Sequence, residues 1–142
     1  MVKILDKASE SQIVDAIRLA ETQTSGEIRV HLKRRGKKDI LEEARKNFKR
    51  LNMHKTVRRN AVLIYIALNN RQFAIFGDSG IHEHVGDLFW NQTRDKMELL
   101  FAKGQIKEAI IAGVSDVGQK LKAFFPTEPL DKNELPNTLT KD

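Results

Sequence analysis

Asn60-Ala61-Val62-Leu63-Ile64-Tyr65-Ile66-Ala67-Leu68 decides the fold. After Asn60 the run is unbroken, apolar and rich in branched and aromatic side chains. A strand wet on one face alternates polar and apolar residues. A strand covered on both faces reads as this one does. Asn69-Asn70 follows, and asparagine tolerates the positive φ of a tight hairpin turn. Arg71 to Phe76 is then the return strand, antiparallel to the first. Gly77-Asp78-Ser79-Gly80 breaks it.

Upstream, Ser9 to Thr24 reads as a helix with Ile13, Ile17 and Ala20 on one stripe. Ser9 and Gln12 are spaced as a capping box, and Gly26 stops the helix. Ile28, Val30 and Leu32 alternate with Arg29, His31 and Lys33, the pattern of a strand with one dry and one wet face. Asp39 is placed to cap a second helix, with Ile40, Ala44, Phe48 and Leu51 on its stripe. Downstream, a short helical turn around Ile81 to Val85 precedes a helix over Asp87 to Ala102, which Gly104 ends. Ile106, Ile110, Gly113, Val117, Leu121 and Phe124 line a last helix from Gln105 to Phe124, and Pro126 stops it.

The order α-β-α-β-β-α-α-α predicts an α/β fold. Helices cover both faces of a small mixed sheet of about three to four strands, an α/β/α sandwich. The crossover through a helix makes the first two strands parallel. Residues 1–126 form the domain. Thr127 to Asp142, with Pro129 and Pro136 and little apolar content, reads as a flexible C-terminal tail.

Composition supports one domain and excludes several classes. The chain has 142 residues, 40% hydrophobic and 31% charged, enough for one core under a charged surface. Cysteine is absent, which removes disulfides, thiolate nucleophiles and zinc–thiolate sites. No apolar run is long enough to span a membrane, and Met1 to Lys7 is not a secretory leader. The expectation is a cytoplasmic monomer. The net charge is +6, and the segment Arg29 to Arg59 concentrates it, with 13 basic and 3 acidic residues. Such a segment suits an anionic partner, a protein or a phosphate-bearing molecule. Nucleic acid is disfavoured, because the segment's one aromatic, Phe48, lies on the apolar stripe rather than among the charges.

The predicted topology gathers polar residues at one sheet edge. Glu27 begins the first strand. Arg59 and Asn60 precede the second. Asp78 ends the third, which runs the opposite way, and Asp87 follows within a few residues. Glu27, Asp78 and Asp87 are then three candidate metal ligands. Gly77, Gly80 and Gly86 let the backbone between them turn sharply and offer carbonyl oxygens, with Ser79 in the same loop. Calcium or magnesium takes such oxygen sets. The plainer alternatives are that Asp78, Ser79 and Asp87 cap helices and that Glu27 pairs with Arg59. His82 and His84 diverge on a helical turn and make no metal pair. Ser79 and His82 have no third orienting group, so a capping role for the serine is preferred to nucleophilic catalysis. Trp90 is read as core.

Four motifs in order resemble the TPM domain family. They are Thr24-Ser25-Gly26-Glu27-Ile28-Arg29-Val30, Arg58-Arg59-Asn60-Ala61-Val62-Leu63-Ile64-Tyr65-Ile66, Phe73-Ala74-Ile75-Phe76-Gly77-Asp78-Ser79-Gly80-Ile81-His82 and Gly86-Asp87-Leu88-Phe89-Trp90, with Phe125-Pro126 beyond them. The match is to the membrane-anchor-free branch. The resemblance implies an α/β/α sandwich and divalent cation binding in the loops at one sheet edge, as a regulatory or interaction module. It also implies an alternative, a metal-assisted acid phosphatase, in which Arg59 would hold the phosphate.

Overall fold

The computed structural model describes residues 5–86, 88–127 and 139–142. The elements are α1 (Lys7–Glu21), β1 (Glu27–Lys33), α2 (Ile40–Arg50), β2 (Ala61–Ala67), β3 (Gln72–Gly77), α3 (Ser79–Val85), α4 (Asn91–Ala102), α5 (Ile106–Phe124) and β4 (Leu139–Lys141). The sheet has the order β3-β2-β1-β4. β2 is parallel to β1 and antiparallel to β3, as the sequence predicts.

Helices cover both faces, so the fold is the expected α/β sandwich. On one face Ile28, Val30, Leu32, Val62, Ile64, Ile66 and Ile75 join Ile13 and Ile17 of α1, Met97 of α4, and Ile110, Val114, Val117 and Leu121 of α5. On the other, Ala61, Leu63, Tyr65 and Ala74 pack on Ala44 and Phe48 of α2. β2 is buried along its whole length, which is why its sequence lacks alternation. Among the described residues no helix is long and apolar enough to cross a membrane.

Several local expectations are corrected. Asp6, not Ser9, caps α1. Its side chain accepts a hydrogen bond from the Ser9 N–H at 2.7 Å, and Ser9 lies inside the helix. The positive φ of the β2–β3 turn falls on Arg71 rather than on an asparagine. Asn70 instead uses its side-chain oxygen to accept from the Gly36 N–H at 2.6 Å. The long helix begins at Asn91, because the chain from Leu88 to Trp90 is a turn that tucks Trp90 into the core.

The second face of β1 is not wet. Arg29 and His31 are 6% and 1% exposed. His31 stacks on Tyr65 with ring centroids 5.5 Å apart. β4 explains part of this burial. The sequence reads Thr127–Asp142 as a flexible tail, whereas Leu139–Lys141 adds a strand parallel to β1. The addition is tied by side chains: His31 Nδ1 lies 2.7 Å from Thr140 Oγ1, and Nε2 lies 2.9 Å from Asp142 Oδ1. Arg50 donates to Asp142 at 3.1 Å, and Lys141 donates to Glu10 of α1 at 2.9 Å. Residues 128–138 lie outside the described residues.

Candidate functional site

The predicted edge exists. The β1–β2 register places Glu27 beside Ala61, and the Asp78 N–H donates to the Ala61 carbonyl at 3.0 Å. Glu27, Ala61 and Asp78 therefore stand side by side at one end of three strands. Two strand spacings separate the backbones of Glu27 and Asp78, about 10 Å.

The side chains divide into two clusters. In the first, Arg59 donates through Nε to Asp78 Oδ2 at 2.7 Å and through Nη2 to Oδ1 at 2.9 Å. The Ser79 N–H also donates to Oδ1, at 2.7 Å, so Asp78 caps α3. Arg59 takes φ +52°, which turns its backbone carbonyl to accept from the Gly80 N–H at 2.8 Å. Both oxygens of Asp78 are thus engaged, and the Arg59 guanidinium is engaged with them. The cap of α3 is thus Asp78 rather than Ser79, which begins the helix and contributes its backbone N–H. Gly77 closes β3, and Gly86 ends α3 at φ +75°.

The second cluster surrounds Glu27, which is buried. Glu21, at the end of α1, accepts the Ile28 N–H at 2.7 Å through Oε2. That bond serves a β1 donor that β4 is too short to reach. Burial, then the neighbouring Glu27 carboxylate, pushes the Glu21 carboxyl up to about 9, against the pull of the Ile28 N–H. Arg29, also buried, is lowered by desolvation and held up by the charges of Glu21 and Glu27. Among the described residues, buried Glu21 Oε1, Arg29 Nε and Asn60 Oδ1 have no hydrogen-bond partner. An orphaned oxygen in such a place costs about 1–3 kcal/mol.

Sequence reasoning missed Glu21 and Arg29. Glu21 reads as a polar residue at the end of an amphipathic helix, and Arg29 as part of a wet strand face. The signal available was the spacing of Glu21, six residues before Glu27 across a turn ending in Gly26.

Among the described residues no three His, Cys, Asp or Glu side chains come together as a metal site. Glu27 and Asp78 share the sheet end, but Asp78 is turned onto Arg59. Asp87 lies outside the described residues. Glu21 and Glu27 are neighbouring carboxyl groups, and burial together with the charge and hydrogen bond of Glu27 favours the protonated form of Glu21.

The family profile of the TPM domain matches residues 1–120. The chain is similar to the BA42 protein of the psychrophilic bacterium Bizionia argentinensis, solved by NMR. The two are 42% identical with a TM-score of 0.93, over 100% of this chain and 98% of that one. It shares its fold with the N-terminal domain of a protein from P. gingivalis, at 19% identity and a TM-score of 0.66, over 86% of this chain and 79% of that one. No curated protein matches the chain. With the profile matching residues 1–120 and 42% identity to the BA42 protein over 100% of the chain, the chain belongs to the TPM domain family.

Proposed function

We propose that this chain is a binding module whose sheet end takes a divalent cation, calcium or magnesium, through Glu27 and Glu21. The observation that carries the reading is the buried Glu21 Oε1, which has no hydrogen-bond partner among the described residues and stands beside the Glu27 carboxyl. Arg29 offsets part of the negative charge, so binding is weak, with a Kd on the order of 10⁻⁴–10⁻³ M. Asp78 belongs to the Arg59 clamp, and its contribution is to hold the loop that closes the same end of the sheet. A phosphatase reading gains less support, because Arg59 is already committed to Asp78.

The test is an amide NMR titration with calcium and then magnesium. Saturable shifts confined to Glu21, Gly26 to Arg29 and Asn60, lost in Glu27→Gln and kept in Asp78→Asn, support the reading. Shifts abolished by Asp78→Asn alone, or none at millimolar cation, overturn it.

A second reading has its own observation. Arg34, Arg35, Lys38, Lys46 and Lys49 are exposed. Among the described residues these five make no ion pair, whereas Arg45, Arg50 and Arg59 of the same segment do. This surface suits a phosphate-bearing partner. Binding to inorganic pyrophosphate or a phosphopeptide should then fall steeply with salt. Salt-independent binding removes this reading.

A further inference from the structure

β3 is an edge strand of unusual character. It carries no charge and no proline from Gln72 to Gly77, and its core is Phe73-Ala74-Ile75-Phe76. Open edges are ordinarily blunted by lysine, proline or a bulge, because their unpaired backbone groups attract other strands. Here β4 closes the opposite edge, on β1, and leaves β3 open.

A groove of about 550 Å³ runs along that edge. Ile75 and Gly77 from one face of β3 line it together with Ala74 and Phe76 from the other. Residues of opposite faces share one groove only where it wraps around the strand's open side. Leu41 of α2, 52% exposed, walls the groove on one flank. Trp90 and Arg94 wall it on the other.

The backbone pattern points the same way. The bond from the Asp78 N–H to the Ala61 carbonyl fixes which residues of β3 bond to β2. In an antiparallel pair these alternate, so Asp78, Phe76, Ala74 and Gln72 face β2, and Gly77, Ile75 and Phe73 present N–H and C=O outward. Among the described residues nothing bonds to those outward groups.

We propose that the β3 edge is a docking site for an extended segment of a partner polypeptide, added as a fifth strand. The segment is about five residues long, the length of the outward backbone row. Its apolar side chains meet Leu41 and Phe76, and an acidic side chain on the opposite face meets Arg94. Charge selects this occupant. The described residues lining the groove include Arg94 and His82 but no acid. Among the described residues Arg94 donates to the neutral Asn91 amide oxygen and makes no ion pair. A second copy of the chain fits poorly, because the protein carries +6 and a two-fold β3–β3 contact would bring Arg94 and a groove with no acid among its described residues against themselves. Strand addition draws affinity from backbone bonds and specificity from alternate side chains.

The test uses four capped peptides on the ¹⁵N-labelled chain: Val-Thr-Val-Glu-Val, Val-Thr-Val-Lys-Val, and the proline pair Val-Pro-Val-Glu-Val and Val-Thr-Pro-Glu-Val, which remove an N–H that faces β3 in an antiparallel and in a parallel added strand respectively. The glutamate peptide should shift the Phe73, Ile75 and Gly77 amides, slow their hydrogen exchange and change Trp90 fluorescence. The lysine peptide should bind at least fivefold more weakly, and one of the two proline peptides, the one whose missing N–H faces β3, should not bind. Arg94→Glu, a change on the partly exposed side of α4, should reverse the preference between glutamate and lysine. Equal binding of the glutamate and lysine peptides, undiminished binding of both proline peptides, or no shift at millimolar peptide overturns the proposal. Line broadening at β3 that depends on protein concentration, with sedimentation as a dimer, overturns the assigned occupant in favour of a second copy.

Discussion

Arg59 grips both carboxylate oxygens of Asp78, at 2.7 and 2.9 Å, and thereby locks the approach to β2 onto the exit from β3. Arg59 does this from φ +52°, a conformation that disfavours any side chain. Two effects oppose each other at one residue, and substitution separates them. Arg59→Ala loses the clamp and keeps the strain. Arg59→Gly loses the clamp and relieves the strain. Urea denaturation should rank wild type above Arg59→Gly, and Arg59→Gly above Arg59→Ala. Asp78→Ala should cost more than about 1 kcal/mol, since it also removes the cap of α3. A glycine variant less stable than the alanine variant would show that φ +52° carries no strain here.

Gly80 and Gly86 look equivalent in sequence and are not. A Cβ on Gly80 would stand 2.1 Å from the Arg58 carbonyl oxygen and 2.6 Å from that of Arg59. Backbone would have to move, and the clamp loop with it. A Cβ on Gly86 meets nothing within 4 Å, and only its φ of +75° opposes a side chain. Gly80→Ala should therefore cost about 3 kcal/mol as an overpacked site, and Gly86→Ala about 1 kcal/mol. Thermal unfolding of the two variants distinguishes them directly. Equal losses would contradict the close approach of the two loops.

Much of this was legible in the residues. The apolar run Ala61 to Leu68 identified the central strand because burial on both faces demands it. The antiparallel return and the parallel crossover then brought Glu27, Asn60 and Asp78 to one end. Which side chains meet there was not legible. Arg59, read as a phosphate holder, turns to Asp78, because a left-handed backbone swings it that way and no local pattern announces such a residue. Arg29 and His31 alternate with apolar residues as solvent-facing groups do, yet distant elements cover them. β4 has a single large apolar residue, Leu139, so its pairing rests on Thr140 and Asp142 reaching His31, contacts more than a hundred residues apart in the chain.

His31 makes the stability depend on pH in a definite direction. Burial, the largest cause, lowers its pKa, and the positive charges of Arg50 and Lys33 assist. The hydrogen bond and charge of Asp142 act against it. The unfolded chain therefore binds a proton at His31 more readily than the folded one. Stability is full above the ordinary histidine range and falls as pH drops through about 6.5. Asp142, whose own pKa is lowered, contributes in the same sense only below the carboxylate range. Glu21 titrates across the same window, so the His31 contribution is read as the difference between wild type and His31→Gln: urea midpoints should show the wild type losing stability relative to His31→Gln as pH drops through about 6.5. A difference that stays constant between pH 5 and 8 would place the titration on another group.

Glu21 acts with the opposite sign. Its folded carboxyl titrates near 9, far above the unfolded value of 4.5, so the folded chain holds a proton that the unfolded chain has released. Stability from this group is full below pH 4.5 and drains away as pH rises towards 9. Glutamine has the same shape, never ionises, and its amide can donate where the shared proton stood. Glu21→Gln should thus be less stable relative to wild type at pH 5 than at pH 8.5, with the difference reversing sign inside that window. The crossing is the informative quantity, because loss of packing alone would lower both midpoints equally. Parallel curves for the two proteins would mean that Glu21 and Glu27 do not share a proton, and the carboxyl pair would lose its place as the cation site.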